Sequence, residues 1–95
     1  MDLRKIAQLL EISEEHLLED GTLAFLEKEK RLTEEDLADF RERYGVLSRA
    51  ELEKKIKEGL TPPHPAWEDL IQWENLEAYR AKLDSLLREF HASRV

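Results

Sequence analysis

The stretch that decides the fold is LAFLEKEKRLTEEDLADFRERYG, residues 23–45. Seven positions recur in it at alternating three- and four-residue intervals: Leu23, Leu26, Lys30, Thr33, Leu37, Phe40 and Tyr44. At about 100° per residue, all seven lie on one side of a continuous α-helix and form a seam for packing. Gly45 suits the left-handed position that ends a helix. The pattern therefore predicts one long helix over residues 21–44.

A different interpretation of this stretch begins a new helix at Thr33. Leu32 and Leu37 have the spacing of a hydrophobic staple, and the Thr33 hydroxyl between them is suited to cap free N–H groups. If the helix ended at Thr33, nothing would require Leu23 and Phe40 to lie on the same side of one helix. The shared phase favours the uninterrupted helix.

The C-terminal third predicts a second long helix, over residues 65–92. Pro65 suits its first position, where the missing N–H would have no partner. Apolar side chains fall within about 140° of its circumference, at Trp73, Leu76, Tyr79, Leu83, Leu86, Leu87 and Phe90. We expect this stripe to pair antiparallel with the first seam. Between the two long helices, Ser48 and Gly59 bound a short connecting helix over residues 48–59.

The first long helix carries a second apolar stripe. Leu18, Phe25 and Leu32 repeat every seven residues on a face about 100° from the seam, provided that Gly21 does not break the helix. This stripe needs a cover of its own. Residues 1–20 include an amphipathic segment, with apolar side chains at Leu3, Ile6, Leu9 and Leu10. Packing of that segment onto the stripe is favoured, and a loose arm that folds onto another molecule is the alternative.

Two large apolar residues of the C-terminal helix face away from its stripe. Trp67 and Ile71 are four residues apart and therefore lie on one side of the helix. They are either buried under the short connecting helix, through Leu52 and Ile56, or exposed as an anchor for a partner. Burial is favoured because it is the commoner fate of a tryptophan beside a neighbouring helix, although tryptophan is also enriched at interface hot spots.

The composition limits the classes of function. The 95-residue chain is long enough for one domain, and its 22 acidic and 15 basic residues give a net charge of -7. This charge disfavours nucleic acids and anionic membranes and favours basic partners. The chain has no cysteine, and it contains no apolar run long enough to span a bilayer. We expect a soluble cytoplasmic protein, and the many charged residues and few side-chain amides are typical of proteins from hot environments.

Catalytic and metal sites are not expected. The sequence contains no nucleophile motif and no phosphate-binding loop, and its many carboxylates lie on helix faces that should be solvated. His16 with Glu19, and His64 with Glu68, have the spacing of paired metal ligands but lack a third ligand. We therefore predict a protein without enzymatic activity, cofactor or metal.

Residues 5–21 are similar in pattern to a compact helix-turn-helix. A short segment with Ile-Ala-x-Leu-Leu is followed by a turn and a second helix that Ser13 would cap. Glu11 stands where the turn glycine usually lies. Residues 11–20 contain five acidic and no basic residues, so DNA phosphates would repel a recognition helix formed by them. A DNA-binding regulator is therefore an alternative, and nucleic acid is not the expected partner.

Three segments follow one another along the chain: RERYGV at residues 41–46, LSRAEL at 47–52, and WED with WE at 67–69 and 73–74. Their order resembles that of a loosely defined group of small helical, antitoxin-like proteins of thermophilic archaea and bacteria. The resemblance covers residues 23–87. It implies a non-enzymatic protein that wraps and silences a small, commonly basic, RNA-targeting toxin encoded beside it.

We therefore predict an all-α protein: an antiparallel hairpin of long helices with a short connecting helix and an N-terminal helix or arm. The expected function is sequestration of a protein partner. The candidate partner-binding residues are Leu18, Phe25, Leu32, Trp67 and Ile71. In the absence of the partner, these apolar surfaces favour a homodimer. The alternatives are the DNA-binding regulator and a homo-oligomeric structural protein.

Overall fold

The computed structural model describes residues 2–93, which form four α-helices and no β-strand. The helices are α1 (Leu3–Leu10), α2 (Glu14–Tyr44), α3 (Arg49–Lys57) and α4 (Pro63–Ser93). α2 and α4 pair antiparallel, because Arg43 contacts Asp69 while Lys30 contacts Asp84. α3 packs against α4 near one end of this hairpin, and α1 packs against α2 at the other. The predicted all-α hairpin is confirmed.

α2 runs without a break from Glu14 to Tyr44. The Ser13 hydroxyl oxygen accepts a hydrogen bond from the His16 N–H at 2.9 Å and caps the first turn. Thr33 does not start a new helix. Its hydroxyl instead donates to the Glu29 carbonyl oxygen, one turn earlier, at 2.8 Å. The prediction of a helix that continues through Thr33 is confirmed.

The predicted start of this helix at residue 21 is wrong. Gly21 lies well inside α2, which begins seven residues earlier. A single exposed glycine costs a helix about 1 kcal/mol relative to alanine. The Ser13 cap and the Glu14 carboxylate in the first turn contribute stabilisation of similar size. Because the helix continues through Gly21, Leu18 keeps the helical phase of Phe25.

The bounds of α3 and α4 follow their local start signals. Ser48 caps α3 by accepting a hydrogen bond from the Glu51 N–H at 3.2 Å. α3 ends at Lys57, two residues short of the prediction, which is within the usual fraying of a helix end. In α4, His64 has an extended backbone (φ -111°, ψ 132°), so the uninterrupted helix follows it and begins at Pro65.

The hydrophobic core is concentrated at the α3 end of the hairpin. Trp73 is 2% exposed and stacks on Phe40, with ring centroids 5.7 Å apart and 11° between the ring planes. α3 adds its two buried residues, Leu52 and Ile56, to this core. The buried residues of the cluster are Leu37, Phe40, Val46, Leu52, Ile56, Ala66, Leu70 and Trp73. At this end the hairpin therefore has a second layer of helix.

The rest of the hairpin is a single layer of two helices. The buried side chains in it are Leu26, Thr33 and Leu83. The protein measures 61 × 30 × 16 Å and has a radius of gyration of 19.2 Å. A compact chain of this length would have a radius of gyration of about 12 Å. We call the single-layer part, residues 14–33 and 76–93, the distal hairpin.

Candidate protein-binding surface

The second stripe of α2 is exposed along the distal hairpin. Leu18, Phe25 and Leu32 all remain in contact with water, and Phe25 is 58% exposed. Full burial of one such side chain would be worth about 1.5–3 kcal/mol. Three of the predicted partner-binding residues therefore lie together, uncovered, on one side of one helix.

α1 covers only the first turns of α2. Ala7 is its one buried residue, and Leu9 is 68% exposed. An eight-residue helix spans about 12 Å, whereas the stripe from Leu18 to Leu32 spans about 21 Å. The N-terminal segment packs within the chain, but its predicted role as a cover for the stripe is wrong because α1 is too short to reach past Phe25.

Two apolar depressions meet on the exposed side of the distal hairpin. One, of about 350 Å³, lies between α1 and α2, and the other, of about 440 Å³, lies between α2 and α4. Thr22 lines both. Its hydroxyl donates to the Leu18 carbonyl oxygen at 2.7 Å and is thereby satisfied within the helix. The two depressions, together with the exposed Leu32 two turns beyond Phe25 on α2, make up a surface here named the apolar face: Leu18, Thr22, Phe25, Leu32, Leu86 and Phe90.

α4 contributes Leu86 to the apolar face. Leu86 is 42% exposed, whereas Leu83, one turn earlier, is 2% exposed. The spacing of apolar residues in α4 predicts that Leu86 lies in the buried stripe, and this prediction is wrong. A stripe about 140° wide on α4 is broader than the side that α2 alone covers. Because α2 cannot cover the whole stripe, the width of the stripe could have indicated that a residue such as Leu86 is exposed.

The opposite edge of the helix pair is polar. Lys30 Nζ lies 2.8 Å from Asp84 Oδ1, and Arg80 Nη1 lies 3.5 Å from Glu34 Oε2. Glu34 follows Phe25 by nine residues, which places it about 180° around α2. This contact with the Lys30 ammonium lowers the pKa of the Asp84 carboxyl. The distal hairpin is therefore closed by ion pairs on one side and apolar on the other.

Two tyrosines form hydrogen bonds that link α2 and α4. The Asp69 carboxylate accepts hydrogen bonds from the Arg43 guanidinium, at 2.8 Å, and from the Tyr44 hydroxyl. Burial, and then the hydrogen bond to Asp69, raise the pKa of Tyr44 to about 12. The Tyr79 hydroxyl donates to Glu29 Oε1 at 2.7 Å, and this bond raises the pKa of Tyr79.

The raised pKa of Tyr44 predicts a loss of stability at alkaline pH. A tyrosine in the unfolded chain loses its proton near pH 10, whereas folded Tyr44 keeps its proton up to about 12. The folded state binds more protons across this window, so the free energy of unfolding should fall as pH rises from about 10 to about 12. Urea unfolding at a series of pH values measures the fall. We expect Tyr44→Phe to decline less steeply, and an unchanged slope would contradict the assignment.

Trp67 and Ile71 lie on the outer side of α4, beside α3. They are 39% and 62% exposed, so the favoured prediction of burial under Leu52 and Ile56 is wrong. Ala66, whose small side chain allows close approach of a neighbouring helix, takes the buried position in the core with those two residues. The cleft beside Trp67 has a volume of about 120 Å³ and is also lined by Arg49, Glu53, Leu70 and Glu74. The five predicted residues therefore form two separate patches.

Residues 2–93 include neither a metal-ligating cluster nor a helix long and apolar enough to cross a membrane. Two histidines form single pairs on helix faces. His16 lies 2.9 Å from Asp20, and His64 lies 2.8 Å from Glu68. The second of these pairs has the predicted spacing, whereas His16 pairs one residue further along than Glu19.

The turn between α1 and α2 has the tight form that the helix-turn-helix alternative requires. Glu11 adopts the left-handed conformation, with φ 58°, in the position where glycine is usual. The second helix of the pair, however, begins with Glu14 and Glu15, both exposed. A phosphate backbone that approached this end of α2 would meet negative charge.

A family model described as "Uncharacterized protein MJ0235 family" matches residues 1–95. No curated protein and no solved structure matches the chain. The family's description names no activity, substrate or partner, so the surface itself is the guide to function.

Proposed function

The chain belongs to the uncharacterized MJ0235 family, and we propose that it is a non-enzymatic module that binds and sequesters a protein partner on its apolar face. The observation that carries this proposal is exposure: Leu18, Phe25, Leu32 and Leu86 are each more than a third exposed. Contiguous apolar surface of this kind on a soluble protein marks an interaction site more often than an inert surface. A bound partner would bury this apolar surface.

The charge beside the face favours a basic partner. Residues 11–20 contain five acidic and no basic residues and surround Leu18, and the whole chain carries a net charge of -7. Complementary charge speeds association and fixes the orientation of the partner. The expected partner presents apolar side chains inside a basic rim.

Within this class, the resemblance to antitoxin-like proteins favours a small basic toxin encoded beside the chain. An antitoxin of this kind acts by covering the toxin's surface, which needs no catalytic group of its own. The patch formed by Trp67 and Ile71 offers a second anchor point on the far side of α4 for a partner that wraps around the hairpin.

Substitution of Phe25 tests the proposal. Phe25→Glu should weaken binding of the small basic protein encoded beside the chain by about 30-fold or more, because loss of an aromatic anchor typically costs about 2 kcal/mol. Isothermal titration calorimetry measures the change. Circular dichroism should show intact helices, since Phe25 lies outside the core cluster.

Ala38→Glu is the matched control. It adds the same charge to an exposed position of the same helix, about 140° around α2 from Phe25. This variant should bind the partner as the wild-type chain does. The proposal fails if the two variants bind equally well, or if the wild-type chain does not bind the neighbouring gene's product.

A further inference from the structure

We infer that in the free protein the apolar face is covered by the apolar face of a second copy of this chain. The distal hairpins of the two copies would lie against each other in a two-fold arrangement and form a four-helix bundle. This self-association does not depend on the partner proposed above.

The layering of the molecule is the first reason. Helical domains bury their apolar stripes by stacking at least two layers of helix. At the α3 end the second layer is present, whereas α1 covers only the first turns of α2 and no helix of residues 2–93 covers the remaining exposed side of the distal hairpin. A second distal hairpin supplies a layer of matching length.

The exposed area is the second reason. The protein exposes 7028 Å², whereas a compact monomer of this size would expose about 5,700 Å², so the surplus is about 1,300 Å². A standard stable interface buries about 800 Å² on each partner. The surplus is therefore large enough to provide one complete interface.

The shape of the face is the third reason, and it favours an identical copy. Phe25 projects from α2 beside a depression with an apolar centre, and the residues that line it are Thr22, Leu26, Leu86, Glu89, Phe90 and Ser93. In a two-fold contact, a residue that enters a depression of the partner is matched by the same contact in reverse. Phe25 of each copy would fill the other copy's depression, as a knob enters a hole in a helical bundle.

Two hydroxyl groups near the apolar face already have hydrogen-bond partners within the chain. The hydroxyl of Thr22 is satisfied by Leu18, and that of Tyr79 is satisfied by Glu29. Burial of these two hydroxyls at the interface therefore leaves neither of them without a hydrogen-bond partner. The ion pairs of the hairpin lie on the opposite edge and stay in water.

Sedimentation velocity from about 1 to about 100 μM tests the inference. The wild-type chain should shift from monomer to dimer with concentration, and Phe25→Glu should weaken the association about 30-fold or more. Ile71→Glu places the same charge on an equally exposed side chain of the other patch and should leave the dimer unchanged. A wild-type chain that stays monomeric, or a Phe25→Glu variant that associates as the wild type does, would overturn the inference.

Distances between spin labels locate the interface independently. The chain has no cysteine, so Lys28→Cys, between Phe25 and Leu32 in sequence, and Leu47→Cys, near α3, each carry one label per copy. The distance between the two copies' labels should be much shorter at residue 28 than at residue 47. The opposite order would place the contact at the α3 end and refute the arrangement. It would leave the proposed partner binding untouched.

Discussion

Trp73→Ala is expected to lower the free energy of unfolding by about 3–5 kcal/mol. The indole is 2% exposed and stacks on Phe40, so truncation removes the ring pair and leaves a cavity in the core. A domain of this kind has about 5–15 kcal/mol of stability in total. The variant should therefore be close to unfolded in mild denaturant, and guanidinium unfolding followed by circular dichroism measures the loss.

Trp67→Ala is the natural comparison because it removes the same side chain from the same helix. Trp67 is 39% exposed and lies at the margin of α3, so we expect a loss of less than about 1.5 kcal/mol. Losses of equal size in the two variants would contradict the division of the tryptophans into a core residue and a surface residue.

Leu83→Ala is expected to cost about 2–5 kcal/mol. Leu83 is one of the few buried side chains between α2 and α4 in the distal hairpin, and it is 2% exposed. With so few buried neighbours to share the contact, the helices of this half should separate readily. Chemical unfolding should be measured in the Phe25→Glu background, in which self-association makes the smallest contribution.

Leu86→Ala, one turn away, controls for the loss of a leucine side chain. Leu86 is 42% exposed, so its truncation should cost the monomer less than about 1 kcal/mol. In the otherwise wild-type chain the same substitution should weaken the dimer. The apolar face would be assigned wrongly if Leu86→Ala destabilised the monomer as much as Leu83→Ala does.

The periodicity of residues 23–45 and 65–92 was enough to predict the helix pair, because the side of a helix that packs must be apolar at helical spacing. The same periodicity does not record which molecule does the covering. Leu86 and Phe25 have the pattern of buried residues, yet no helix within residues 2–93 covers them. The sequence pattern shows which side of a helix is apolar. It does not show whether the same chain or another molecule covers that side.

Trp67 illustrates the limit of reasoning from side-chain size. A large aromatic residue next to a short helix favours burial, but the residue that α3 covers is its neighbour Ala66. Two helices approach most closely over small side chains, so an alanine can take the central position and leave a tryptophan at the margin. The predicted start of α2 at residue 21 treats Gly21 as a helix break, although Ser13, in a capping position, already indicates an earlier start.

The confinement of the core to the α3 end divides the molecule into parts that open at different rates. We expect amide hydrogens near Trp73 to exchange with solvent through global unfolding, and those in the distal hairpin to exchange through local opening at lower free energy. A molecule bound to the apolar face adds its binding free energy to the distal half. Because proteases cut open segments, we expect a copy whose apolar face is unoccupied to be degraded before an occupied one.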